Sequence, residues 1–115
     1  MKALNFYSTV YHGFLVLRDK SCTIRLGDKT AKYAEGDVVL VTYGDRFKKR
    51  KKVFTAVLDR VVKKRISELT TDDLLGESPD WKSPQDAIDF LGRIYSREIR
   101  PSDVVTVVYF SEITE

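Results

Sequence analysis

The chain has 115 residues, 43% hydrophobic and 32% charged, with a formal net charge of +3. These proportions exclude a disordered polyelectrolyte and fit a single globular domain, residues 1–115, with one core. A lone cysteine and a lone histidine exclude an internal disulfide and fall short of a zinc ligand set, so no metal and no cofactor is expected. No stretch approaches membrane-spanning length and no apolar leader is visible, so no membrane partner and a cytoplasmic location are expected.

A short strand is predicted from Ala3 to Phe6. Tyr7, Tyr11, Phe14, Leu15 and Arg18 then follow helical spacing, although Gly13 weakens a helix there. Cys22-Thr23-Ile24-Arg25-Leu26 alternates with period two, which puts Cys22, Ile24 and Leu26 on one face and Thr23 and Arg25 on the other. Gly27-Asp28-Lys29 breaks that strand. Tyr33 leads to the turn Glu35-Gly36-Asp37, which opens a strand over Val38 to Tyr43 that is apolar on both faces and therefore predicted to be central.

Gly44-Asp45-Arg46 starts a loop, and a β-branched strand is predicted over Val53 to Val62. Ser67 to Leu75 and Ser83 to Tyr95 read as helices. The second carries Ser83 as N-cap, Pro84 at its first position and Asp86 three residues after the cap. Its core stripe is Ala87, Ile88, Leu91, Ile94 and Tyr95. After Pro101, the run from Val104 to Phe110 is the strongest strand of the chain. This order gives an α+β domain with a mostly antiparallel, barrel-like sheet, because the strands between Cys22 and Val62 connect without crossover helices.

Charge is distributed unevenly. Arg46, Lys48, Lys49, Arg50, Lys51 and Lys52 crowd one short stretch, whereas acidic residues concentrate between Glu68 and Asp89. A local positive cluster is what attracts a polyanion, although such runs are commonly solvated hairpin loops. Lys20, Thr23 and Arg25 form a second candidate group. An ammonium, a hydroxyl and a guanidinium fork on one strand face suit an anion or a carbonyl; the plain alternative is a solvated face. Cys22 shares its face with Ile24 and Leu26 and is expected to be buried and inert, and His12 has no carboxylate partner at helical spacing.

The segment Lys20-Ser21-Cys22-Thr23-Ile24-Arg25, followed by Tyr33 and by Glu35-Gly36-Asp37-Val38-Val39, resembles the ASCH domain, a relative of the PUA domain. Asp80-Trp81 before a helix, the helix end Arg93-Ile94-Tyr95 and the final valine-rich strand extend the resemblance over nearly the whole chain. The resemblance implies a PUA-like, mostly antiparallel β-barrel with flanking helices and a link to RNA binding. It also implies that small members can be amidohydrolases that remove the acetyl group of N4-acetylcytidine.

The Lys and Thr of those enzymes correspond to Lys20 and Thr23. Their acidic residue falls on Asp80 when counted back from Tyr95, or on Glu77 when counted forward from Leu69. Asp80 would be one methylene shorter than the Glu of those enzymes. Two function classes follow. One is a module that binds RNA or a modified nucleoside around Lys20, Thr23 and Arg25. Its phosphates would meet the basic residues Arg46 to Lys52, and a base would stack on Tyr43, Phe47 or Trp81. The other is a small amidohydrolase using Lys20, Thr23 and Asp80 or Glu77, with a ribonuclease as a third and weaker reading.

Overall fold

The computed structural model describes residues 2–6, 21–44 and 49–114. Five strands form one sheet in the order β1-β3-β4-β5-β2. They are β1 (Lys2–Phe6), β2 (Cys22–Leu26), β3 (Val38–Tyr43), β4 (Lys51–Arg65) and β5 (Val104–Glu112). The β1/β3 pair is parallel, with Leu4 opposite Val41, and the other three pairs are antiparallel. The sheet curls into a half-barrel, so the expected α+β, mostly antiparallel barrel is borne out. The predicted helix over Tyr7 to Arg18 lies outside the described residues.

β5 shows why the sheet curls around one core and carries another on its back. Its alternate residues Val108 and Phe110 pack inside the barrel with Leu4, Phe6, Val39, Val41, Phe54 and Leu58. The intervening Val105 and Val107 pack outside, against Ile66, Leu69, Leu74, Trp81, Ala87 and Leu91. A strand covered on both faces needs apolar residues on both, which is the continuous valine run seen in the sequence. β3 is flanked by β1 and β4, so it is interior as expected, although the middle of the sheet is β4.

Strand β4 exceeds the predicted Val53 to Val62 at both ends. A register shift between Leu58 and Arg60 bends it, and the polar pair Asp59 and Arg60 sits at that bulge. The bend lets one 15-residue strand pair with β3 through its first half and with β5 along most of its length.

The segment predicted as one helix from Ser67 is divided. A 3-10 turn covers Ile66–Glu68, and α1 (Thr71–Glu77) starts after Thr70. Leu69 ends the first and Thr70 caps the second: the Thr70 Oγ1 accepts the Asp73 N–H at 3.1 Å, and Asp73 Oδ2 accepts the Thr70 N–H at 2.9 Å. Helix α2 (Pro84–Tyr95) starts as the sequence predicts. The Asp86 carboxylate accepts the N–H groups of Lys82 and Ser83 at 2.7 and 3.1 Å, and Pro84 needs no donor at that position. Among the described residues no helix is long and apolar enough to cross a membrane.

Candidate functional site

A cavity of about 160 Å³ lies between the end of β1, β2, the last residue of α1 and the second half of α2. Asn5, Thr23, Arg25 and Glu77 supply its polar lining, and Phe6, Ile24, Phe90, Leu91, Ile94 and Tyr95 its apolar lining. Each polar residue is placed by a specific local device.

Glu77 is buried, and it is delivered by Gly76. A Cβ at position 76 would stand 2.8 Å from Cys22 Sγ and 2.9 Å from Ser21 Oγ. Only a residue without a side chain lets α1 approach β2 so closely. The Gly76 carbonyl accepts the Ser21 N–H at 3.0 Å, and the Asp73 carbonyl accepts Cys22 Sγ–H at 3.2 Å. Cys22 is fully buried, as expected.

One turn before Glu77, the buried Asp73 fixes the same helix to the sheet. Its carboxylate takes the Lys64 ammonium at 2.7 Å, the Thr70 N–H and the Tyr109 hydroxyl. Burial alone pushes the Asp73 carboxyl up, but the hydrogen bonds from Lys64, Thr70 and Tyr109 outweigh it and hold the pKa below the ordinary carboxylate range. Burial, and the hydrogen bond to Asp73, push the Tyr109 phenol far upward.

Arg25 joins the two edges of the sheet. Its Nε donates to Thr23 Oγ1 at 3.0 Å, its Nη2 donates to the Asn5 carbonyl at 2.9 Å, and its Cζ lies 5.0 Å from the centre of the Phe6 ring. The guanidinium is therefore a latch between β2 and β1 as well as part of the cavity wall. Asn5 is buried in turn: its Oδ1 accepts the Thr42 hydroxyl at 2.8 Å and its Nδ2 donates to the Gly44 carbonyl at 3.3 Å.

Thr23, Arg25 and Glu77 are thus brought together on one cavity. Asp80 is exposed in the turn after α1, where its N–H donates to Ser78 Oγ at 3.4 Å, and it does not line the cavity. Trp81 is buried against Phe90 with ring centres 5.4 Å apart, and Tyr43 is half-buried at the end of β3; neither lines the cavity. Lys49, Arg50, Lys51 and Lys52 are exposed. Lys20, Arg46, Phe47 and Lys48 lie outside the described residues.

The basic segment nevertheless adjoins the cavity through Gly44. Its N–H donates to the Phe6 carbonyl at 3.1 Å, its φ is 153°, and a Cβ there would crowd Arg50 Cα at 3.2 Å. Ile94 and Tyr95, predicted as core, are 49% and 43% exposed and form an apolar lip. Asn5 is the polar cavity residue the sequence reading missed, and it named none of the apolar lining, this lip included, as part of a site. The one usable signal was a polar Asn between the apolar Leu4 and Phe6. Among the described residues no three His, Cys, Asp or Glu side chains gather as a metal site requires.

Solved structures share this architecture. An ASCH domain from Lactobacillus crispatus JV V101 matches with a TM-score of 0.68 and 15% identity, covering 96% of this chain and 79% of that one. The fold is that of an ASCH domain. A DUF984 protein from Enterococcus faecalis V583 gives a TM-score of 0.72 at 11% identity, covering 98% of this chain and 80% of its own. The hypothetical protein PH0355 gives 0.64 at 16%, covering 98% of this chain and 100% of its own. No protein-family model matches the chain, and neither does any curated protein sequence. The ASCH fold bears out the resemblance first read around Lys20 to Val39.

Proposed function

We propose that the cavity receives the base of a nucleoside, free or carried in RNA, and that it acts on or reads a modified form of that base. The observation that carries this is the buried Glu77 carboxylate on the wall of a cavity that also holds Thr23 and Arg25. At about 160 Å³ the cavity is well below the ~300–1,000 Å³ of sites for drug-sized molecules, which favours one planar base over a stretch of polymer. Thr23 is a suitable donor. Its oxygen already accepts from Arg25 Nε, so the hydroxyl proton is left for another acceptor such as a base or acyl carbonyl. Glu77 offers acceptor oxygens for an exocyclic N–H.

A second reading, hydrolysis of N4-acetylcytidine, is favoured by the same pairing of Glu77 with Thr23. Water would add its oxygen to the acetyl carbon while Glu77 or Lys20 takes its proton. Thr23 would donate to the developing oxyanion. Cleavage of the C–N bond, with that proton passed to N4, would release acetate and cytidine. The polymer side of the proposal draws on Lys49 to Lys52, which adjoin the cavity at Gly44.

The test is binding of cytidine and N4-acetylcytidine by calorimetry, with product chromatography, for wild type, Glu77→Gln, Thr23→Val and Lys20→Ala. Binding that weakens in the first two variants is expected. Turnover that disappears in all three variants would establish the hydrolase. Wild-type protein that is folded and binds neither nucleoside would overturn the proposal.

A further inference from the structure

We propose that Tyr95 is the residue on which the ligand's base stacks, so that the end of α2 sets the affinity for planar ligands. The inference rests on the nucleoside reading of the same cavity. Tyr95 continues the stripe of Ala87 and Leu91 at four-residue spacing, so it points toward the sheet as they do. Ala87 and Leu91 are buried, whereas Tyr95 keeps 43% of its surface in solvent while lining the cavity.

The other aromatic residues lining the cavity are engaged within the fold. The Arg25 guanidinium lies over the buried Phe6 ring, and Phe90 packs against Trp81 with the ring planes 62° apart. The backbone that carries Tyr95 is also firmly held. Ser96 caps α2 in the left-handed conformation at φ 51°, its N–H bonds to the Gly92 carbonyl, and the Arg97 N–H bonds to the same oxygen at 3.3 Å. A Cβ at Gly92 would touch the Arg97 carbonyl at 3.4 Å, so the chain folds back closely onto the end of α2. An aromatic side chain that lines a small cavity, keeps much of its surface in solvent and stands on a well-held backbone suits a stacking platform, and such a contact tolerates any planar base.

The experiment measures cytidine, adenosine and ribose 5-phosphate binding by calorimetry for wild type, Tyr95→Phe, Tyr95→Leu and Glu77→Gln. Tyr95 is half in solvent, so its substitution leaves the fold intact, which circular dichroism verifies. Stacking of one base is worth ~1–3 kcal/mol, so Tyr95→Leu should weaken nucleoside binding by about five- to 150-fold, with Tyr95→Phe within about two-fold of wild type. Wild-type binding that Tyr95→Leu leaves unchanged overturns the inference and spares the nucleoside reading. Equal losses in Tyr95→Phe and Tyr95→Leu also overturn it, because the hydroxyl would then be the contact. If ribose 5-phosphate binds as well as the nucleosides and is lost equally with Tyr95→Leu, stacking is refuted. Wild type that binds no nucleoside overturns both.

Discussion

Replacing Asp73 with Ala removes the anchor that ties α1 to two strands at once, β4 through Lys64 and β5 through Tyr109. The carboxylate is 4% exposed and pairs with Lys64, whose side chain is 17% exposed. Breaking a buried pair from one side typically costs ~3–5 kcal/mol, since the surviving charge is stranded. Lys64 can partly rehydrate, which favours the lower end, while loss of the reciprocal cap with Thr70 adds ~1 kcal/mol. A total of ~3–4 kcal/mol is therefore expected, out of ~5–15 kcal/mol for a domain of this size. At ~4 °C per kcal/mol that is a fall in melting temperature of ~12–16 °C.

Urea titration with an unchanged slope would assign the loss to the native state. The double variant Asp73→Ala/Lys64→Met should lose less than the sum of the singles, because no ammonium is then left without its partner. pH gives an independent reading. The native Asp73 carboxyl titrates below its unfolded value of 3.8, so its contribution is complete above about pH 4 and fades as pH falls through the lowered native value. Tyr109 has the opposite sign: raised in the native state, it contributes fully below its unfolded value of 10.0 and loses that contribution at higher pH. A loss under ~1 kcal/mol in Asp73→Ala, or strict additivity with Lys64→Met, would refute the anchor.

Gly76→Ala should destabilise by ~1–3 kcal/mol, because the new methyl meets the buried Cys22 sulfur at 2.8 Å, and Cys22→Ala in the same chain should restore part of the loss; chemical denaturation of the three variants checks this. Under the proposed function, neutralising Lys49, Arg50, Lys51 and Lys52 together to Gln should weaken single-stranded RNA binding and reduce the slope of log K against log salt by about 3, at ~0.7 per phosphate contact. Filter retention across a salt series reads the slope, and an unchanged slope would remove that segment from the RNA interface.

Much of the fold was legible because its signals were local. Period-two alternation placed β2, the valine run placed β5, and Pro84 with Asp86 placed the start of α2. The parallel β1/β3 pairing was not legible, since nothing in Ala3 to Phe6 encodes which strand it will neighbour. Nor was the bulge that lets β4 serve two partners. At the cavity, sequence spacing left Asp80 and Glu77 tied, and the feature that separates them is Gly76, whose missing side chain sets the approach of α1 to β2. Tyr95 was assigned to the core from its helical stripe, but a stripe tells which way a side chain points and not where its cover ends.

Arg25 shows how the site divides its charge. Read along the strand, a guanidinium near a hydroxyl looks like an anion clamp. In the fold, two of its donors go to Thr23 and to the Asn5 carbonyl, and its face rests on Phe6. The same cavity is lined by the buried acidic side chain of Glu77, so its polar wall is not uniformly basic, as a phosphate clamp would require. Under the proposed function, a phosphate of the ligand lies outside the cavity. Gly44 bonds to the Phe6 carbonyl and the Asn5 side chain of the cavity wall, and the exposed Lys49 and Arg50 pass close to it. Under the proposed function the two chemistries are separate: a neutral base is read inside, and the strand's charge is met outside. Raising salt should therefore weaken the binding of an oligonucleotide far more than that of a free nucleoside, and equal salt dependence for the two would place the phosphate in the cavity after all.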